Sequence, residues 1–134
     1  MSWSFNQNTP LYLQAAAHIR QAIVRGAYTK GEKLLSVRDM ATEASVNPNT
    51  MQKAFSLLED EGLVITEGTS GRYVTSDDRI IARAKEQIAL ELTKEYMTGM
   101  TLLGYSASEA AAMTDSYIKT MSTKGDGTNG NIDN

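Results

Sequence analysis

Residues 36–62 read SVRDMATEASVNPNTMQKAFSLLEDEG, and this stretch decides the fold. Ser36, with an acid three residues later, resembles a capping box and predicts the start of a short helix. Asn47 is followed by proline, which combines an N-cap residue with the residue favoured at the first helical position, so a second helix is predicted to about residue 61. Only the turn of residues 45–47 separates the two helices, a spacing typical of a helix-turn-helix.

The flanking segments complete a winged helix-turn-helix. Upstream, Thr9 as N-cap and the proline after it predict a helix that ends at Gly26, and residues 27–35 are expected to form a loop. Downstream, residues 63–66 and 72–75 predict two strands joined by a four-residue turn. The order helix, helix, tight turn, helix, hairpin predicts a mostly α fold with a small β-hairpin.

The second helix of the helix-turn-helix has two chemically different faces. Its apolar residues, at helical spacing, are Met51, Ala54, Phe55 and Leu58. Its other face carries Asn49, Gln52, Lys53 and Ser56, with Thr50 beside them. Amides can pair with both edge atoms of adenine, hydroxyls suit bases or phosphates, and lysine suits guanine or phosphate. A face of this composition, with no carboxylate before Glu59, predicts contact with DNA.

Supporting cations are few. Arg38 lies in the first turn of the preceding helix, whose N-terminus can also offer backbone N–H groups to a phosphate, although a surface ion pair is the alternative role for this arginine. Lys30 and Lys33 lie in the loop before it, and Arg72 lies on the hairpin, where Glu67 would repel phosphate. Two readings compete with DNA binding: the polar face is merely solvated, or the fold binds another protein. The latter requires exposed apolar anchors on the second helix.

The composition argues against several classes of function. The chain has no cysteine and one histidine, so neither a disulfide framework nor a zinc or copper site is expected. It has no glycine-rich phosphate loop, and we expect neither enzymatic activity nor a cofactor. The N-terminus lacks a signal peptide, and no segment approaches the roughly 20 apolar residues of a membrane span, so a cytoplasmic protein without a membrane partner is expected. The net charge of −3 comes from residues 76–134, because residues 1–75 hold seven basic and seven acidic residues.

The rest of the chain predicts a C-terminal helical arm. Apolar residues spaced four apart form one stripe, which consists of Ile80, Ala84, Ile88, Leu92 and Tyr96. An interruption is expected at residues 99–105, after which Ser106 and Glu109 form a capping box that begins another helix. The stripe predicts dimerisation with a second copy of the chain, and packing against the chain's own winged helix is the alternative.

The predicted organisation is a DNA-binding domain of residues 1–76, a helical dimerisation region of residues 77–122 and a disordered tail of residues 123–134. The dimerisation region is too short to enclose a ligand pocket of ~300–1,000 Å³. A small-molecule effector, if the protein has one, is expected at the dimer interface, but the sequence does not identify it.

Several of these segments resemble the GntR family of bacterial repressors. Residues 34–41, LLSVRDMA, are similar to its L-P-S-x-R-x-L-A segment. Residues 46–55, VNPNTMQKAF, followed by LEDEGLV at 58–64, resemble the V-N-P-N-T-V-x-x-A-Y-x-x-L-E-x-x-G run of its small YtrA-like branch. PLYLQ at residues 10–14 and LGYSASE at 103–109 also fit. The chain departs from the pattern in having Leu35 where proline is usual, and in a wing less basic than the common Arg-Gly-x-Gly form.

The resemblance implies a homodimeric transcriptional repressor that binds double-stranded DNA. Repressors of this branch often control an operon that includes an ABC transporter. It also implies DNA contacts from Arg38 and from the exposed face of the second helix, with the wing around residues 68–72 near the minor groove. The full set of predicted DNA-binding residues is Ser36, Arg38, Asn47, Asn49, Thr50, Gln52, Lys53, Ser56, Gly68 and Arg72.

Overall fold

The computed structural model describes residues 2–124 and contains five helices and a two-stranded antiparallel hairpin in that range. The elements are α1 (Leu11–Val24), α2 (Val37–Ala44), α3 (Pro48–Asp60), β1 (Val64–Glu67), β2 (Gly71–Val74), α4 (Asp78–Leu102) and α5 (Ala107–Lys124). The predicted fold class, mostly α with a small β-hairpin arranged as a winged helix-turn-helix, is confirmed.

A hydrophobic core unites the first three helices with the hairpin. The apolar stripe of α3 is fully buried, and it packs with Ile19 of α1, Met40 of α2, and Val64 and Val74 of the hairpin. Burying a side chain as large as Phe55 stabilises the fold by roughly 1.5–3 kcal/mol relative to leaving it exposed. With its inner face fixed in this way, α3 must direct its polar face outward.

Side-chain caps set the two helices of the helix-turn-helix. Ser36 Oγ accepts a hydrogen bond from the backbone N–H of Asp39 at 3.1 Å, and Asn47 Oδ1 accepts one from the N–H of Asn49 at 2.7 Å. Ser45 ends α2 in the left-handed conformation, with φ 58° and ψ 45°. Both predicted caps and the tight turn between them are therefore confirmed.

The predicted start of α1 is wrong by one residue. Pro10 has ψ 141°, which is extended, so it precedes the helix as its N-cap and no side chain caps the first turn. Thr9 is therefore displaced from the capping position. Its carbonyl instead accepts a hydrogen bond from Gln14 Nε2 at 2.8 Å, and that amide also exchanges hydrogen bonds with the backbone of Asn6.

The segment predicted as a loop at residues 27–35 also contributes to the wing. The N–H of Leu34 donates to the carbonyl of Arg72 at 2.8 Å, and the N–H of Val74 donates to the carbonyl of Glu32 at 2.9 Å. These bonds place the loop along the free edge of β2, which satisfies backbone groups that would otherwise be unpaired. In the hairpin itself, the pairing of Glu67 with Gly71 leaves a three-residue turn instead of the predicted four.

The chain divides into two compact units, and the boundary falls between Ile88 and Ala89. α4 extends across this boundary, so Ile80 and Ala84 belong to the first unit. The separation into a DNA-binding domain of residues 1–76 and a dimerisation region of residues 77–122 remains a prediction. The predicted tail, residues 123–134, lies outside the described residues except for its first two, which end α5.

Within the second unit, the expected interruption at residues 99–105 is wrong in extent. α4 continues through Gly99 to Leu102 and closes at Gly104, whose φ is 97°. An interior glycine weakens a helix by only about 1 kcal/mol relative to alanine, which is too little to end it here. The capping box at Ser106 and Glu109 is confirmed, because each residue's side chain accepts a hydrogen bond from the other's backbone N–H.

Candidate nucleic-acid interface

The outward face of α3 forms the centre of the candidate interface. Asn49, Gln52, Lys53 and Ser56 are all exposed, and Thr50 is half-buried. Gln52 Nε2 donates to Ser56 Oγ at 3.3 Å, a long hydrogen bond that leaves the amide oxygen free to accept another. Because all four side chains are exposed, the face is open to a partner.

Lys53 has a neighbour that its position in the sequence does not reveal. Its Nζ lies 5.7 Å from the centroid of the Tyr12 ring, which comes from α1. A contact of this kind at an exposed site is worth about 0.5–1 kcal/mol. Such an energy can orient an ammonium group but is too small to prevent it from reaching a phosphate or a base.

The N-terminus of α2 provides a second potential contact for DNA. Arg38 is exposed in the first turn, and among residues 2–124 it has no acidic partner within ion-pair distance. The predicted alternative, a surface ion pair, is therefore not observed for this arginine. Ser36 and Asn47 both use a side-chain oxygen for capping, so they retain a hydroxyl and an amide N–H₂ respectively for donation.

Two of the other cations near the hairpin are already paired. Lys30 Nζ lies 2.7 Å from Asp78 Oδ1. Arg72 Nε lies 3.4 Å from Glu59 Oε2, and the guanidinium carbon is 5.6 Å from the centroid of the buried Phe55 ring. Arg72, although predicted to bind DNA, is therefore held against α3.

The tip of the wing remains free. Gly68 has φ 50° with open space around its Cα, and the whole turn of residues 68–70 is exposed. The side chain of Lys33 crosses Gly71, since a Cβ atom there would meet Lys33 Cε at 3.0 Å. Lys33 therefore brings a cation to the wing, a placement that only the pairing of residues 31–34 with β2 reveals.

The residues predicted for dimerisation fall into two groups. Ile80 and Ala84 are half-buried and pack against the core of the first unit, which is the alternative left open for this part of the stripe. Ile88 is half-buried, whereas Leu92 and Tyr96 in the second unit are exposed. The hydroxyl of Tyr96 donates to the carbonyl of Ala110 at 3.0 Å and thereby joins α4 to α5.

Within residues 2–124 there is no group of three or more side chains suited to hold a metal ion. None of the helices described is long and apolar enough to cross a membrane.

Known proteins resemble the chain in both sequence and structure. The family model described as bacterial regulatory proteins, gntR family, matches residues 11–74. The uncharacterized HTH-type transcriptional regulator YhcF of Bacillus subtilis is 34% identical over 81% of this chain and 90% of its own length. The HTH-type transcriptional repressor YtrA of the same organism is 31% identical over 71% and 78%, respectively. A GntR family transcriptional regulator from Listeria monocytogenes superposes with a TM-score of 0.75 at 37% identity, over 84% of this chain and 98% of that one.

Proposed function

Because this chain belongs to the GntR family of bacterial regulatory proteins, it is a transcriptional regulator with a DNA-binding domain rather than an enzyme, and we propose that it is a repressor. In this proposal, the protein forms a homodimer that binds a near-palindromic operator in the promoter of its own operon. Each protomer inserts the exposed face of α3 into the major groove.

The exposed face of α3 is the observation that supports this function most strongly. B-DNA admits a helix into its major groove, where adenine and guanine present patterns that amides and lysine can read. Asn49, Gln52 and Lys53 are exposed on this helix, while its apolar side chains are fully buried. In a helix-turn-helix, the N-terminal residues of the second helix reach the base edges, and these three residues occupy that part of α3.

Phosphate contacts hold such a helix in register. Arg38 has no acidic partner among the described residues and lies at the start of α2, where backbone N–H groups and the helix dipole also favour an anion. Ser36 at the start of α2 and Asn47 at the start of α3 can also donate hydrogen bonds to phosphates. Affinity from so few cations is modest, so two half-sites are needed for tight binding.

The second unit supports a homodimer. Of its residues up to 124, only Met100 and Ala110 are buried hydrophobics, which is too small a core for an independent fold. Leu92, Leu102 and Leu103 are 61%, 83% and 75% exposed. A second copy would cover this apolar surface and would set two recognition helices roughly 34–36 Å apart, one turn of DNA.

Repression follows from where such a dimer binds. YtrA of Bacillus subtilis is named a transcriptional repressor. A dimer bound to an operator that overlaps a promoter would exclude RNA polymerase from that promoter. We infer that the protein is cytoplasmic, because the bacterial chromosome lies there. A small-molecule effector that releases the operator would act at the dimer interface.

A winged helix that binds protein instead of DNA is the other candidate. It requires large apolar side chains exposed on α3, and those of α3 are buried or, in the case of Leu57, half-buried. DNA is therefore the partner that the surface chemistry favours.

Fluorescence anisotropy tests the proposal with two duplexes. One spans the promoter upstream of the chain's own gene, and the other, the selected duplex, is enriched from a randomised pool by the wild-type protein. We expect Gln52→Ala and Lys53→Ala each to weaken binding to the selected duplex by ~1–3 kcal/mol. Gln21→Ala and Lys85→Ala, which remove the same groups from exposed sites on α1 and α4, should bind as wild type does.

Wild-type affinity for both α3 variants would refute the role assigned to this face. Absence of any enriched duplex would refute sequence-specific binding. If the selected duplex binds but the promoter does not, control of the chain's own operon is wrong while DNA binding stands.

A further inference from the structure

The wing is attached to the recognition helix by a cluster of side chains that carries opposite charges. Thr66 of β1 and Arg72 of β2 lie directly opposite each other in the hairpin register. Both reach Glu59 of α3: the Thr66 hydroxyl donates a hydrogen bond to Glu59 Oε2, and Arg72 Nε lies 3.4 Å from the same oxygen. One carboxylate oxygen therefore joins both strands of the wing to α3.

The arginine in this cluster is also held from its other side. Its guanidinium lies over the ring of Phe55, one turn before Glu59 on the same helix. The side chains of Arg72 and Glu59 are only 26% and 27% exposed. The Arg72 carbonyl accepts the N–H of Leu34, so the backbone is fixed as well. The acid holds this guanidinium through Nε and the ring lies against its face, so most of the side chain rests on α3.

We propose that Glu59, Arg72 and Thr66 form a clamp that sets the position of the wing on α3, and that Arg72 affects DNA binding as a positioning residue rather than as a phosphate contact. This inference rests on the proposed function. The core anchors the base of the hairpin at Val64 and Val74, and the clamp holds a pair nearer the tip, so it sets the placement of the outer part of the wing. The clamp also pairs the Glu59 carboxylate with a cation, which reduces its repulsion of the DNA backbone.

The two roles for Arg72 predict opposite effects of Glu59→Gln. If Arg72 contacts phosphate, removal of the acid frees a cation and eliminates a repulsive charge, so binding becomes tighter. If the clamp positions the wing, the same change loosens it, and we expect binding to the selected duplex to weaken about fivefold. Asp60→Asn is the matched control, because this neighbouring acid of α3 is exposed and has no cationic partner among the described residues.

Arg72 variants provide an independent measure. Arg72→Ala should weaken binding about as much as Glu59→Gln, and the double variant should be little worse than either, because both changes remove one coupled interaction. Arg72→Lys should also weaken binding, since an ammonium keeps the charge but lacks the planar group that stacks on Phe55. The dependence of log affinity on log salt should be unchanged in all of them, whereas loss of a phosphate contact reduces the slope by about 0.9.

Circular dichroism melts of each full-length variant verify that the fold persists. Tighter binding by Glu59→Gln, or a reduced salt slope for Arg72→Ala with Arg72→Lys at wild-type affinity, would overturn the clamp and leave the proposed function intact. If the wild-type chain binds no duplex, both proposals fall.

Discussion

The chain has one tryptophan and one histidine, and they are in contact. The rings of Trp3 and His18 stack with centroids 3.8 Å apart and an interplanar angle of 17°. Trp3 Nε1 and His18 Nε2 are buried and have no hydrogen-bond partner among the described residues. Burial lowers the pKa of His18 from its ordinary 6.5, Arg25 lowers it further, and Glu43 opposes the shift. Burial therefore favours the neutral imidazole, because a neutral ring needs no anionic partner.

The contact predicts a pH dependence that tryptophan fluorescence can follow. Because the pKa of His18 is lowered on folding, its contribution to stability is present above pH 6.5 and is lost as pH falls through the folded-state pKa. We expect Trp3 emission to change with a midpoint below 6.5, and His18→Gln to abolish the transition. In denaturant, where the two rings no longer stack, the transition should disappear. A midpoint above 6.5 in the native protein would contradict the argument.

At the scale of a single element, the start of α5 shows a complete capping box. The backbone N–H of Ser106, more than its side chain, lowers the pKa of Glu109 from its ordinary 4.5. A lowered carboxyl pKa stabilises the folded state above pH 4.5, and this contribution disappears as pH falls through the folded-state value. Glutamine can replace the hydrogen bond but not the charge.

Glu109→Gln should therefore lower the melting temperature at neutral pH, and the difference from wild type should vanish in acid. Glu95→Gln, which removes an exposed acid of α4 with no cationic partner among the residues described, is the control and should have little effect at either pH. The measurement is thermal unfolding followed by circular dichroism at several pH values. A difference that persists or grows on acidification would disprove the role of the carboxylate.

Elements were predictable from the sequence where their signals are local. The caps at Ser36, Asn47 and Ser106 have partners within three residues, so residue type and spacing suffice. The prediction of a cap at Thr9 failed because the residue preferences of Thr9 and Pro10 do not determine whether the helix begins at Pro10 or after it. The pairing of residues 31–34 with β2 was missed because those residues carry no strand pattern of their own.

The contacts that shape the candidate site were not predictable. Lys53 meets Tyr12 across 41 positions of sequence, and Arg72 meets Glu59 only because the hairpin folds back on α3. Such contacts depend on how the helices pack, which a single sequence does not specify. The composition of the α3 face could be predicted because helical periodicity alone separates its two sides. Which of its residues contact DNA remains a prediction.

At the scale of the whole molecule, ion pairing limits what one protomer can offer to DNA. The first 75 residues are neutral overall, and Arg20, Lys30 and Arg72 are each paired with an acid. The other four basic residues have no acidic partner among the described residues: Arg25, Lys33, Arg38 and Lys53. Since each phosphate neutralised contributes about 0.9 to the salt slope, a single protomer should show a shallow slope, and a dimer should show about twice that value.

One experiment can test how the oligomeric state, which we assign to the second unit, affects DNA binding by the first. Leu92→Glu with Ile118→Glu places charge on the exposed apolar surface of the second unit, where burial of an unpaired carboxylate would be costly. By light scattering at tens of micromolar, we expect the wild type to be dimeric and this variant to be monomeric. The variant should also bind a two-half-site duplex about a hundredfold more weakly. Its affinity for a single half-site should be unchanged, because α3 is untouched. Leu13→Glu, a similar change on the exposed side of α1, should remain dimeric. A wild-type chain that is monomeric at this concentration would contradict the proposed homodimer.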